Sequence, residues 1–352
     1  MNFNLKLLFF FFLLLSFSGI SQKKYSNEFL QIGAGARSLS LSKAVVASSA
    51  NSSSIYWNPS SLVDLTEFEI ELMHASYFSG IANFDQFSYA KKVNETDAVG
   101  VMLLRFGVDD IMNTANLIDN EGNVDYNRIE LFSAADYAFL FSYAKKDLYK
   151  GFDVGGNMKL IYRKIGNFAT SWGFGFDIST QKEFGKWKFG AISRDATSTF
   201  NSWMFNMENF EEIYLQTGNE LPENSSEITL PSVQTGVSRQ YNINEKFSAH
   251  SELDLIVHFD GERNTLWSNS TLSVNPHFGT EIRFKDLIAF RVGLGDFNRE
   301  TDFQNEEYIT VQPNIGLGVR FVNIRIDYAL TNLGDQFTRK KLSLLKFKRK
   351  TS

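Results

Sequence analysis

From residue 67 onward the chain alternates apolar and polar side chains with a period of two, again and again. No other feature limits its fold so strongly. Successive side chains of a strand point to opposite faces, so each run is a strand with one apolar and one polar face. In "KFSAHSELDLIVHF", Phe247, Ala249, Leu253, Leu255, Val257 and Phe259 share one face, and Ser248, His250, Glu252, Asp254 and His258 share the other. "VNPHFGTEIRFK" sets Val274, Phe278, Ile282 and Phe284 against Asn275, His277, Glu281, Arg283 and Lys285. About fourteen such runs follow one another, most of them about ten residues long, the length a tilted strand needs to cross a bilayer. A soluble β-sandwich also alternates. Here, however, the polar face is heavily charged and the apolar face is rich in aromatics, drawn from 34 Phe, 13 Tyr and 5 Trp. Lipid outside and water inside produce that contrast.

The connections agree with a barrel. Every second one is tight, around 94–97, 147–150, 183–185, 242–245, 285–287 and 323, whereas most of the others are long, at 109–130, 195–229, 260–271, 297–308 and 332–340. Short turns on one rim and long loops on the other are the pattern of an outer-membrane barrel. The expected fold is all-β: an antiparallel transmembrane β-barrel of about fourteen strands with an N-terminal hatch in its lumen. An even strand number brings both ends of the barrel to the short-turn side, the periplasm.

Lys6 precedes "LLFFFFLLLSFSGI", an apolar run of signal-peptide length with Gly19 and Ser21 suitably placed for cleavage after Ser21. The expected organisation is a signal peptide at 1–21, a hatch at 22–65 and a barrel at 66–352. A net charge of −5 gives no reason to expect nucleic acid, and with no Cys, disulfides and thiolate metal sites are excluded. The hatch segment, "IGAGARSLSLSKAVVASSANSSSIYWNPSSL", is rich in small residues that let backbone pack against backbone in a confined space. Arg37 and Lys43 are expected to meet lumen carboxylates such as Glu252, Asp254 and Glu281. Asn58-Pro59 reads as a rigid turn at the junction of hatch and barrel.

Gly35, Ala36, Arg37, Ala44, Ala47, Tyr56, Trp57, Asn58, Pro59 and Leu62 resemble the opening of PorV/PorQ-family outer-membrane proteins, and "RIDYALTNLGD" resembles that family's penultimate strand and loop. The resemblance implies a fold similar to the long-chain fatty-acid transporters. It also implies a function in type IX secretion: binding the translocon barrel, or the C-terminal signal domain of secreted cargo, through extracellular loops. Outer-membrane lipid would be the other partner. The hatch motif is then Gly35, Arg37, Tyr56, Trp57, Asn58 and Pro59.

Two other functions fit the sequence. One is a channel for hydrophobic solutes, with a movable hatch and an apolar pocket. The other is a hydrolase at the barrel rim. His74 and Ser76 fall on the outward face, and a tight turn at Ser79-Gly80 would set Asp85 opposite His74 and Asn83 opposite Ser76. Nothing marks an oxyanion hole, so the chain is read as non-enzymatic. His250, Glu252, Asp254, His277, Glu281 and Arg283 are read as a polar lumen network, since ligand-like i, i+2 spacing arises wherever a strand lines a wet lumen. No metal and no cofactor is expected. In the long loop at 198–228, Trp203, Met204, Phe205, Phe210 and Tyr214 suggest a short amphipathic helix and a partner-binding surface.

Overall fold

The computed structural model describes residues 26–118, 121–206, 224–301, 304–331, 341–342 and 346–348. Its strands are β1 (Phe68–Tyr77), β2 (Ala82–Lys92), β3 (Asp97–Asn113), β4 (Glu130–Tyr149), β5 (Phe152–Ile165), β6 (Ala169–Phe184), β7 (Trp187–Arg194), β8 (Thr199–Phe205), β9 (Ser225–Thr229) and β10 (Ser232–Asn242). They continue as β11 (Phe247–His258), β12 (Trp267–Ser268), β13 (Ser273–Phe284), β14 (Ile288–Thr301), β15 (Glu307–Phe321), β16 (Ile324–Thr331), β17 (Lys341–Leu342) and β18 (Lys346–Lys348). All pairings are antiparallel. The ring closes through β17 and β18, which pair with β16 on one side and β1 on the other. Counting β7 with β8, β9 with β10 and β17 with β18, and setting β12 aside as a loop strand, the wall has fourteen staves. No described helix is long and apolar enough to cross a membrane.

The alternation decides which way each strand faces. On β11, Leu253 and Leu255 are exposed on the outer wall while Glu252 and Asp254 are fully buried inside. Aromatic side chains gather near both rims of the outer surface. Phe184, Trp187, Tyr241 and Phe247 stand by the short turns, and Trp172 with its neighbours stands by the long loops. Such girdles bracket a lipid-facing band. The short turns lie where the sequence placed them, at 150–151, 185–186, 243–246, 285–287 and 322–323.

The long connections differ from expectation in one region. The loop at 195–229 contains β8 and β9 rather than beginning as a helix. β8 pairs with β6 from Ala169↔Phe205 to Phe174↔Phe200, directly above the stretch where β7 pairs with β6 from Ile178↔Ser193 to Phe184↔Trp187. Between those two ladders the β7–β8 stave uses more residues than β6 does. The surplus falls at 195–198, which bulges out of register, with Asp195 and Ser198 in left-handed conformations. The next stave breaks at the same height, because β10 pairs with β7 up to Ser232↔Arg194 and β9 with β8 only from Thr229↔Thr199. Leu230 and Pro231 lie between, and proline has no N–H to give a ladder. Among the described residues, no β-pairing joins 195–198 to 230–231.

Candidate functional site

Residues 26–65 occupy the lumen as short helical turns rather than strands: Glu28–Ile32, Ala36–Ser40, Ser54–Trp57 and Pro59–Asp64. The segment is nearly all buried, although much of it is Ser, Ala and Gly. Its few large side chains organise it. Trp57 Nε1 donates to the Ala34 carbonyl at 2.6 Å, the Tyr56 hydroxyl donates to the Leu30 carbonyl, and Asn58 Nδ2 donates to the Val46 carbonyl at 2.7 Å. Gly35 takes a positive φ of 82°, which favours glycine, and its N–H donates to Gln86 Oε1 at 2.8 Å. Asn58 is extended, as a residue before proline should be, yet Asn58-Pro59 lies buried inside the hatch rather than at its junction with the barrel.

Glycines on the wall let the hatch backbone come close. A Cβ at Gly293 would sit 2.4 Å from the Leu41 carbonyl carbon, and one at Gly190 would sit 2.3 Å from the Val46 carbonyl oxygen. The polar lumen residues then satisfy the hatch. Asp254 accepts the Val45 and Val46 N–H groups at 3.0 and 3.1 Å, and Glu252 accepts the Ala47 N–H at 2.6 Å. These bonds satisfy backbone donors that the hatch's short turns leave without a partner. His277 Nδ1 lies 2.7 Å from the Ser42 carbonyl oxygen and so donates to it.

Glu281 sits at the centre of four guanidinium groups. Arg37 of the hatch reaches it at 3.4 Å, Arg283 at 2.5 Å and Arg325 at 3.4 Å, while Arg291 makes a shorter contact and also pairs with Asp327 at 2.8 Å. Lys43 does not join Glu252, Asp254 or Glu281. It pairs with Asp296 at 3.0 Å, because the hatch backbone already occupies Asp254 and Glu252. His250 lies on the same inner face, with Nε2 at 3.8 Å from Glu252. Among the described residues, no group of three or more His, Cys, Asp or Glu could hold a metal ion.

On the long-loop side of the hatch a chamber of about 1190 Å³ remains. Its floor includes Tyr56 and Trp57, and its walls include Leu140, Lys159, Ile256 and His277. Glu28, Leu30 and Gln31 of the hatch also border it. Phe200 and Ile228 belong to the outward row, opposite Phe174 of β6, and both also line the chamber. The chamber therefore reaches the outer surface at the break in the wall. Sequence reasoning named Tyr56 and Trp57 but missed Lys159, Asp177, Arg194, Asp195 and Asp296. Lys159 and Asp177 fall at inward positions of β5 and β6, and that alternation was the signal that could have found them.

The charges along this chamber are engaged either within the wall or between wall and hatch. Lys159 contacts Asp177 at 2.8 Å and Asp195 at 2.6 Å. Arg194 donates Nη1–H to the Tyr56 carbonyl at 2.7 Å and lies over the Tyr56 ring at 4.3 Å, a cation–π contact that ties wall to hatch. Near the loops, Arg263 grips both Asp260 oxygens through Nε at 3.0 Å and reaches Glu28 at 3.1 Å. Burial tends to raise the Asp260 carboxyl, but the hydrogen bonds and charge of Arg263 outweigh it and hold Asp260 below the usual carboxylate range.

The rim residues have the expected register: His74 pairs with Asp85 and Ser76 with Asn83. His74 Nδ1 lies 2.7 Å from Asp85 Oδ1, and Asp85 also meets Arg105 at 3.5 Å. The same row continues across the wall through Tyr137, Tyr162 and Trp172. His74 and Asp85 are thus part of the polar and aromatic belt at the edge of the lipid band. Trp203 is not on an exposed helix. It is buried on β8 under Arg163 at 4.9 Å, with Met204 exposed on the opposite face and Phe205 at the strand end. Phe210 and Tyr214 lie outside the described residues.

No family model and no curated protein matches the chain. Its fold is similar to that of the monoaromatic hydrocarbon channel CymD, with a TM-score of 0.53, 12% identity, and coverage of 90% of this chain and 96% of that one. The toluene transporter TodX of Pseudomonas putida is also similar, with a TM-score of 0.51, 11% identity, and coverage of 89% and 96%. The chain is a closed antiparallel transmembrane barrel of the outer-membrane type. The resemblance to the PorV/PorQ family is overturned by these likenesses, and the translocon and cargo domains fall with it as partners. The physical reason is local. Tyr56, Trp57 and Asn58 each bond to hatch carbonyls, so the motif describes how a hatch packs and carries no information about a partner.

Proposed function

We propose that the protein is an outer-membrane channel for small hydrophobic solutes. The observation that carries this reading is the chamber above the hatch, which meets the outer surface where the wall ladder breaks at 195–198 and 230–231. Concave sites in which aromatic and aliphatic side chains stand among placed polar groups are where small ligands bind. Here Tyr56, Trp57, Leu140, Phe200 and Ile256 stand among the charged residues of the wall. A solute entering from the long-loop side meets Tyr56 and Trp57 at the floor. It can leave sideways, past Phe200 and Ile228, toward the lipid. The hatch closes the direct aqueous route below, so the lumen is not an open pore.

In this reading residues 1–21 are a cleaved leader, residues 22–65 the hatch and residues 66–352 the barrel, with its short turns and both barrel ends facing the periplasm. Gly35, Arg37, Tyr56, Trp57, Asn58 and Pro59 set the hatch, and the Glu252, Asp254, Glu281 and Arg283 network fixes it to the wall. The known channels CymD and TodX lend the reading support through their architecture. The test is uptake of radiolabelled toluene by cells lacking the gene, with and without the full-length chain restored in the outer membrane. Restoration should raise the initial rate several-fold. Equal rates would sink the proposal.

A further inference from the structure

We infer that the chamber selects neutral solutes and rejects anionic ones, with Asp296 as a selectivity-determining residue. The inference rests on the transport reading above and deepens it by naming the charge class of the solute.

Among the described residues lining the chamber, the cations Lys43, Lys159, Arg194 and Arg263 face the carboxylates Glu28, Asp177, Asp195, Asp260 and Asp296, leaving one negative charge in excess. The cations are, moreover, already engaged. Lys159 is held between Asp177 and Asp195, and Arg263 is spread over Asp260, Glu28 and Gln31. Arg194 gives Nη1–H to the Tyr56 carbonyl and its face to the Tyr56 and Trp57 rings, 4.3 and 5.5 Å away. Lys43 is paired with both oxygens of Asp296, at 3.2 and 3.0 Å.

Of the four, Arg194 alone has no carboxylate in contact among the described residues, and its guanidinium lies over the Tyr56 and Trp57 rings. At the other three an incoming carboxylate must displace a wall or hatch carboxylate from its cation or remain unpaired beside excess negative charge. Either outcome is unfavourable, because it costs an existing ion pair or leaves a charge without one. A neutral molecule loses only its hydration and gains contact with Tyr56, Trp57, Leu140, Phe200 and Ile256. The Lys43–Asp296 pair is the point at which this balance can be altered. Both side chains keep partial exposure, 19% and 23%, whereas Lys159 is sealed at 4%. Removing the charge of Asp296 would leave the Lys43 ammonium free for a ligand.

The test uses 4-fluorobenzyl alcohol and 4-fluorobenzoate, a soluble pair alike in shape and unlike in charge. Each is titrated into the purified full-length chain at neutral pH and followed by fluorine NMR, with protein-free micelles as the blank. The alcohol should bind about tenfold more tightly than the benzoate. Asp296→Asn should raise benzoate affinity relative to the alcohol by about the same factor. Asp260→Asn, which removes the carboxylate gripped by Arg263 Nε, serves as the second variant if Asp296→Asn does not fold. Benzoate binding to the wild type as tightly as the alcohol would overturn the inference while leaving the transport reading intact. A wild-type preference that neither variant changes would overturn the role given to the wall carboxylates. Binding of neither probe would count against the chamber itself, and so against the transport reading.

Discussion

The two sides of the hatch meet the same barrel in opposite ways. Toward the short turns the hatch is sealed: its backbone touches glycine positions such as Gly190 and Gly293, and Arg37 crosses from hatch to wall to reach Glu281. Toward the long loops Lys159 closes on Asp177 and Asp195 within the wall, and a chamber remains between wall and hatch. Ion pairs that bridge two elements draw them together, whereas pairs closed within one element satisfy burial and leave space beside them. Side-chain volume has the same effect. Glycine admits backbone on one side, and Leu140, Ile256 and Phe200 hold it off on the other.

This contrast can be tested from both sides. On the sealed side, Glu281→Ala leaves Arg37, Arg283, Arg291 and Arg325 around an empty centre. Removing one partner of a buried charge cluster costs about 3–5 kcal/mol. Thermal unfolding in detergent should show that loss, and an unchanged melting temperature would mean the cluster does not hold the hatch. Gly293→Val should cost about 1–3 kcal/mol by overpacking. It should also push the hatch from the wall, raising ion conductance in planar bilayers; conductance at the wild-type level would contradict the close approach.

On the chamber side the effects are smaller in stability. Because Asp260 is held below its unfolded value, its ion pair with Arg263 contributes fully above the ordinary carboxylate pKa. That contribution is lost as pH falls through the lowered folded value. The loss, about 1 kcal/mol for one partly exposed pair, should appear as faster amide exchange in 26–32 at low pH. Asp260→Asn should abolish that pH dependence. Ala196→Trp, placed in the bulge, should leave stability within about 0.5 kcal/mol. Yet it should remove most toluene uptake into proteoliposomes, and normal uptake would show that solute does not pass the bulge.

Much of the barrel was legible in the sequence because alternation reports directly which side faces lipid. Leu253 against Asp254, or His74 opposite Asp85, needed only period and turn length. The bulge was not legible. "TFNSWMF" carries Phe200, Trp203 and Phe205 at mixed spacing, so it imitated a helix, and only the pairing of β8 with β6 shows that it is wall. The hatch was legible as a compact small-residue segment, but its ionic partners were not all so. Glu281 for Arg37 followed from a lumen position, whereas Asp296 for Lys43 depends on which carboxylates the hatch backbone has already taken. Similarly, Tyr-Trp-Asn-Pro was informative about packing and misleading about partners.

The most direct measurement is a structure of the full chain determined with a brominated toluene, read by anomalous scattering. The account predicts a bromine peak within the chamber, against Tyr56, Trp57 and Ile256 or along the path toward Phe200. A peak confined to the detergent belt, or no peak at saturating probe, would contradict it.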